Sequence, residues 1–144
     1  HFNFIGIPKP IRAVIQKQHF AALRKAGIAP EALLHFCWKK HEREWQYLGM
    51  DYALSQPKHL PQQMSDWAYW ITEKSWWDTV DLLATRGVGL RLQNEPELRQ
   101  EVITLWRHAP NMWLNRSCML FQLHYKKQTD VQLLADLCVQ YAGS

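Results

Sequence analysis

Prolines and glycines interrupt this sequence at short intervals, and the residues between the interruptions follow the period of an α-helix. The breaks fall at "KAGIAP", "SQPKHLP", "TRGVG", "NEPEL", "HAPN" and "KKQTD", and each contains Pro, Gly or a helix-capping residue. No long run alternates apolar with polar residues, as a half-buried strand would. The pattern therefore predicts an all-α fold built from short helices.

From residue 42 onward the predicted helices form pairs, roughly 42–55 with 62–72, 75–86 with 96–108, and 111–127 with 130–141. This spacing is typical of HEAT-like helical-hairpin repeats, which stack into an α-solenoid with a concave surface. A length of 144 residues predicts one domain, 1–144. Because the chain begins with His1 rather than Met, we expect it to be a piece of a longer protein.

The charge is uneven along the chain, whose formal net charge is +4. Residues 1–40 carry seven Lys or Arg against Glu31 alone, which is compatible with a polyanionic partner. Lys9, Arg12 and Lys17 form either a basic edge toward a nucleic acid or an ordinary solvated helix face. The three cysteines form no CxxC pair, which argues against a thiolate zinc site, and no apolar run is long enough to cross a membrane.

The stretch "SWWDTVD", residues 75–81, combines two adjacent tryptophans with two carboxylates. Ser75 is a candidate N-cap, with Asp78 as the acidic partner of a capping box. Trp77 and Asp81 lie four residues apart and so share a helix face, whereas Trp76 is expected to turn into the core. Taken alone, an aromatic and an acid on one face are compatible with ordinary packing and solvation.

A second aromatic and charged pair occurs in "NMWLNRSCML", where Trp113 and Arg116 are three residues apart. Arg116 either pairs with an acid or binds phosphate. Arg43 begins an earlier predicted helix in a parallel position, where it contacts either a phosphate or solvent. Core or inter-helix packing is predicted for a further set of residues: Trp45, Trp67, Trp70, Trp106, Leu120, Phe121 and Leu123.

The stretches "FNFIGIPKPIR", "ITEKSWWDTVDLLA" and "NMWLNRSCMLFQLHYKKQTDVQLL" resemble the DNA alkylation repair enzyme family, the AlkD-like DNA glycosylases built from HEAT-like repeats. The resemblance covers essentially all 144 residues and is strongest in the SWWDxVD and WLxR segments. It implies that Asp81 and Trp77 face the damaged nucleotide and that Arg116 holds the DNA backbone. The family normally has further helices before and after the matching region, so the resemblance implies that this chain is truncated at both ends.

The resemblance also implies a chemistry: excision of cationic N3- and N7-alkylated purines, such as 3-methyladenine and 7-methylguanine, from duplex DNA without a metal or other cofactor. Such a base already carries a positive charge and leaves neutral, so no proton donor is needed. A single carboxylate, Asp81, then suffices to stabilise the oxocarbenium-like sugar. We expect a monomeric protein of the cytoplasm and nucleoid. The alternative is a non-catalytic HEAT-like module that binds DNA or a protein partner.

Overall fold

The computed structural model describes residues 1–143, and the chain forms two compact units, residues 1–61 and 62–143. Within residues 1–143 the regular structure is helical apart from one isolated β-bridge between Asn3 and Glu42. The all-α prediction is therefore confirmed. None of the helices in these residues combines the length and the apolar character that a bilayer crossing requires. The expectation of a single domain stays a prediction.

The first unit is a helical hairpin preceded by a longer helix and an extended N-terminal segment. Its helices are α1 (Lys9–Lys25), α2 (Pro30–Trp38) and α3 (Arg43–Leu54), followed by a 3₁₀ turn (Pro57–His59). The predicted break at "KAGIAP" is confirmed, because α1 ends before Gly27, which has φ +73°, and Pro30 is the first residue of α2.

The core of the first unit lies between α2 and α3. Leu34 and Cys37 on α2 are fully buried, and both approach Gly49 of α3 closely enough that an added Cβ there would meet them at 3.3 and 3.1 Å. The buried Gln46 amide donates to the carbonyl of Cys37 at 2.8 Å. The same carbonyl also accepts the backbone N–H of Lys40 at 3.1 Å, so a side chain and the backbone together satisfy this C-terminal carbonyl of α2.

The second unit contains one long helical rod and four shorter helices. The helices are α4 (Met64–Thr72), α5 (Trp77–Leu82), α6 (Gly89–Gln93), α7 (Pro96–Trp106), α8 (Met112–Leu120) and α9 (Val131–Ala142). A π-helical segment, Leu83–Val88, joins α5 to α6 without a gap, so residues 77–93 form the rod.

The predicted break at "TRGVG" is wrong, because the rod runs through it. Its glycines serve close packing instead of a turn. A Cβ added at Gly87 would overlap the ring of Trp67, and one added at Gly89 would overlap the carbonyl oxygen of Phe121. The two glycines therefore let α4 and the end of α8 approach the rod backbone directly.

Two other predictions for this unit have mixed outcomes. Trp67, Trp70, Trp106 and Phe121 are buried, as expected, whereas Leu120 is only half-buried. Trp45 in the first unit is half-buried and packs edge-on against Phe36 of α2 at 5.9 Å, which confirms inter-helix packing for it. The helix predicted for residues 111–127 ends at Leu120, and Leu123 is 64% exposed, which contradicts its assignment to packing. Turns and a 3₁₀ segment (Lys126–Gln128) connect α8 to α9.

Candidate functional site

The site begins at the first turn of α5, where Trp76 is the residue before the helix. Its backbone is extended, with φ −158° and ψ 168°, and its side chain is 52% exposed. The prediction that Trp76 turns into the core is therefore wrong. Successive side chains in a helix point about 100° apart, but this rule does not place Trp76, because Trp76 lies outside the helix.

Ser75 does not cap α5, contrary to the prediction. Its hydroxyl donates to the carbonyl of Ile71 at 2.6 Å, at the end of the preceding helix, and α5 begins only at Trp77. Asp78 still lies in the first turn of α5, where the helix dipole favours a negative charge. The acid predicted to cap the helix therefore contributes through the dipole.

Asp81 and Arg116 form a two-pronged ion pair. Arg116 Nε donates to Asp81 Oδ1 at 2.7 Å, and Nη2 donates to Oδ2 at 2.8 Å. Both side chains remain partly open to solvent, with 32% of Arg116 and 41% of Asp81 exposed. Of the two roles open to Arg116 from the sequence, the structure shows the pairing with an acid. The hydrogen bonds that Arg116 donates to Asp81 raise the pKa of the Arg116 guanidinium above its ordinary value.

Trp77 lies directly against this pair. The Arg116 guanidinium carbon is 4.3 Å from the centre of the Trp77 ring, within the range of a cation–π interaction. The structure therefore brings Trp77, Asp81 and Arg116, the three residues that the sequence singled out in this unit, into direct contact.

Local capping explains how Arg116 reaches its position. The Asn111 side chain accepts hydrogen bonds from the backbone N–H groups of Trp113 at 2.9 Å and Leu114 at 3.4 Å, which fixes the start of α8. From that start, Arg116 lies one turn along α8 and faces Asp81 on the rod.

Two further tryptophans complete an exposed aromatic surface that the sequence did not predict. The Trp113 ring centre is 5.1 Å from that of Trp77 and 6.3 Å from that of Trp76, with edge-on and tilted geometries. Trp77 itself is 45% exposed. The signal for Trp113 was its shared face with Arg116. The signal for Trp76 was its position before the first helical residue, where the direction of the side chain does not follow the helical period.

The predicted basic residues of the first unit occupy different environments. Arg43 is fully buried, with its guanidinium 4.0 Å from the ring of Phe2. A phosphate contact by Arg43 would require Phe2 to move away, so its burial argues against that prediction. Arg12 is partly covered, stacked 4.6 Å from the ring of Tyr47, whereas Lys9 is exposed.

The N-terminal segment that covers Arg43 is held by the neighbouring acid. The backbone N–H groups of Ile5, Gly6 and Ile7 donate to the Glu44 carboxylate at 2.9, 2.8 and 3.2 Å. Burial of Glu44 acts to raise its pKa, but these hydrogen bonds outweigh it, and the pKa is lowered. The "FNFIGI" stretch therefore has a structural explanation, because it binds the first turn of α3.

A sequence model of the family described as DNA alkylation repair enzyme matches residues 1–144. The chain belongs to the DNA alkylation repair enzyme family. A solved structure described as a predicted DNA alkylation repair enzyme from Enterococcus faecalis is similar over 96% of this chain, with a TM-score of 0.76 and 28% identity. The chain spans 65% of the length of that family member. No curated protein matches this sequence.

Proposed function

We propose that this protein is a DNA glycosylase that removes cationic N3- and N7-alkylated purines, such as 3-methyladenine and 7-methylguanine, from duplex DNA in base excision repair. The observation that carries the proposal is the exposed carboxylate of Asp81, held at two oxygens by Arg116 and bordered by Trp77. Membership of the DNA alkylation repair enzyme family supports a role in the repair of alkylation damage.

The reaction requires an anion to stabilise the sugar cation and does not require an acid to protonate the leaving base. An alkylated purine with a positive charge leaves as a neutral base, so the developing charge resides on the sugar. A carboxylate beside the sugar stabilises that cation and orients a water for attack. Asp81 supplies this charge, and the face of Trp77 adds an attraction for a cation that is worth about 0.5 to 2 kcal/mol.

Arg116 has two partners in this mechanism. In the free protein it neutralises Asp81, and both carboxylate oxygens are occupied. A backbone phosphate competes for the same guanidinium, because arginine binds phosphate and carboxylate with the same planar fork. DNA binding therefore draws Arg116 toward the phosphate and releases Asp81 toward the sugar. The protein acts as a monomer on double-stranded DNA, without a cofactor, in the cytoplasm and nucleoid.

The proposal is tested by release of free 7-methylguanine from methylated duplex DNA by wild type, Asp81→Asn and Asp78→Asn. Losing an electrostatic stabiliser of the transition state typically costs about 10² to 10³ in rate, and we expect that loss for Asp81→Asn only. Asp78→Asn is the matched control, since it removes an exposed carboxylate from the same helix. DNA binding by Asp81→Asn should be equal to or tighter than wild type, because Arg116 is then free for phosphate.

Equal rates for the two variants would remove Asp81 from the mechanism. Wild-type release no faster than spontaneous loss would favour a second function, a DNA-binding module without catalysis. That alternative is favoured by one observation, the closed state of the ion pair, in which Arg116 satisfies both oxygens of Asp81.

A further inference from the structure

The connection between α8 and α9 carries a second group of cations. We call residues Leu123–Gln128 the basic loop. Leu123, His124, Lys126 and Lys127 are all exposed there. The loop lies in the same unit as Asp81 but has no part in the ion pair described above.

The basic loop is fixed to the far end of the rod by side-chain hydrogen bonds. The hydroxyl of Tyr125 donates to the carbonyl of Gly89 at 2.5 Å, and the amides of Gln93 and Gln128 are joined at 2.8 Å. Its lysines are therefore displayed by an ordered backbone, which lowers the entropy lost when they bind a ligand.

The charge along the chain on either side of the basic loop is one-sided. Residues 102–129 contain four Lys or Arg and no Asp or Glu. The Tyr125 hydroxyl lies beside Arg99 of α7, which adds another cation near the loop. The nearest acid along the chain, Asp130, accepts a hydrogen bond from the backbone N–H of Leu133 at 2.9 Å and so caps α9.

The backbone of the loop adds an independent observation. Lys126 has φ +53°, a left-handed conformation that costs a residue with a Cβ roughly 1 to 2 kcal/mol relative to the right-handed one. Glycine or asparagine would occupy this position with less strain. Residues in strained conformations are enriched at functional sites. Lys74, just before α5, shares the conformation with φ +54°, and at Lys126 the strained residue is a solvent-facing cation.

We infer that the basic loop binds a backbone phosphate of duplex DNA through Lys126 and Lys127, as a contact separate from the Asp81 site. The inference rests on the proposed function, in that duplex DNA is the partner. Roughly 18 Å of helix separates Asp81 from Gln93 at about 1.5 Å per residue. Each nucleotide of a strand advances only about 3.4 Å along the duplex, so the loop meets a phosphate several nucleotides from the reacting sugar, or one on the other strand.

The test is the salt dependence of binding to an undamaged duplex, measured for wild type, Lys126→Asn, Lys127→Gln and Lys58→Gln. Each lost phosphate contact should reduce the slope of log affinity against log salt by about 0.9, so that a fourfold rise in salt weakens binding roughly 3-fold less. Lys126→Asn removes the charge and introduces a residue type that accepts positive φ, so the backbone of the loop should be preserved. Lys58→Gln, an exposed lysine of the 3₁₀ turn in the first unit, is the control for net charge and should keep the wild-type slope.

Unchanged slopes for both loop variants, or the same change for Lys58→Gln, would overturn the inference, as would a wild type that does not bind the duplex. Release of 7-methylguanine is measured separately and on wild type alone. Excision with unaltered slopes retains the proposed function and removes the loop from it. Salt-dependent binding through the loop without excision retains the loop as a DNA contact and rules out the proposed glycosylase function.

Discussion

Two arginines, Arg43 in the first unit and Arg116 in the second, are stacked on aromatic rings at nearly the same distance, 4.0 and 4.3 Å. Arg43 is completely buried under Phe2, whereas about a third of Arg116 is exposed beside Asp81. Burial makes Arg43 part of the packing, because moving its side chain would separate a buried charge from the groups that compensate it. Exposure leaves the second free to exchange partners.

The adjacent acids differ in the same way. Glu44 satisfies three backbone N–H groups of its own N-terminal segment, and only 6% of the residue is exposed. Asp81 receives its hydrogen bonds from one side chain that a phosphate can also recruit. A carboxylate bonded to fixed backbone therefore stabilises the fold, while one bonded to a movable arginine is available for chemistry.

The largest effect should come from truncating the buried arginine. Arg43→Ala leaves a cavity where a large side chain was, and we expect the free energy of unfolding to fall by about 3 kcal/mol. Arg116→Ala breaks a partly exposed ion pair and should cost no more than about 1 kcal/mol. Chemical denaturation of both variants measures the difference, and equal losses would contradict this account of the two arginines.

A smaller loss, about 2 kcal/mol at neutral pH, is expected for Glu44→Gln, because hydrogen bonds to an ionised acceptor are replaced by weaker ones. The pKa of Glu44 is lowered below its ordinary 4.5, so the stabilisation is complete above pH 4.5 and is lost as the pH falls through the lower folded value. Unfolding measured down the acid range should show wild type losing its advantage over Glu44→Gln. A constant difference between the two proteins at every pH would refute the role of the carboxylate charge.

For Arg116→Lys we expect excision of 7-methylguanine to slow by about tenfold, near 1.4 kcal/mol, since lysine retains the charge but not the planar fork that binds the backbone phosphate and positions the DNA beside Asp81. Arg86→Lys, an exposed arginine on the rod, is the matched control and should behave as wild type. Single-turnover rates at saturating protein separate this effect from weaker DNA binding. A normal rate for Arg116→Lys would mean that charge alone suffices.

The smallest effect on the fold should come from Trp76→Leu. The side chain is half exposed and packs against the rings of Trp77 and Trp113, so stability should change by no more than about 0.5 kcal/mol. DNA binding should weaken by roughly threefold, and Trp76→Phe should restore part of it, because an aromatic face remains for a base or sugar. Fluorescence anisotropy with a labelled duplex measures both variants. Equal binding by Leu and Phe at this position would exclude an aromatic contact.

Local signals in the sequence predicted most of the helix boundaries correctly. Pro30 and Pro96 begin α2 and α7, and Asn111 and Asp130 cap α8 and α9 with their side chains. These residues act on their own turn of chain, so the sequence is sufficient. The pairing of Trp77 with Asp81 on one face was likewise a local prediction, confirmed by the contacts of both with Arg116.

Three of the errors or open choices arose where distant residues decide the outcome. Gly87 indicated a break, but the contact that requires a glycine there comes from Trp67, twenty positions earlier. Arg43 indicated a surface cation, but Phe2 of the N-terminal segment covers it. The salt bridge between Asp81 and Arg116 joins residues 35 positions apart, and residue types alone left phosphate and acid as equal partners for the arginine.

The π-helical segment Leu83–Val88 determines which way the two parts of the rod on either side of it face. A π turn holds one residue more than an α turn, so it accommodates a single inserted residue without lengthening either connecting loop. The two ends of the rod are thereby set about 100° out of the rotational phase that an uninterrupted helix would give them. Asp81 before the segment and Gly89 after it therefore both face the α8 region, where Asp81 accepts hydrogen bonds from Arg116 and Gly89 lies against the carbonyl of Phe121.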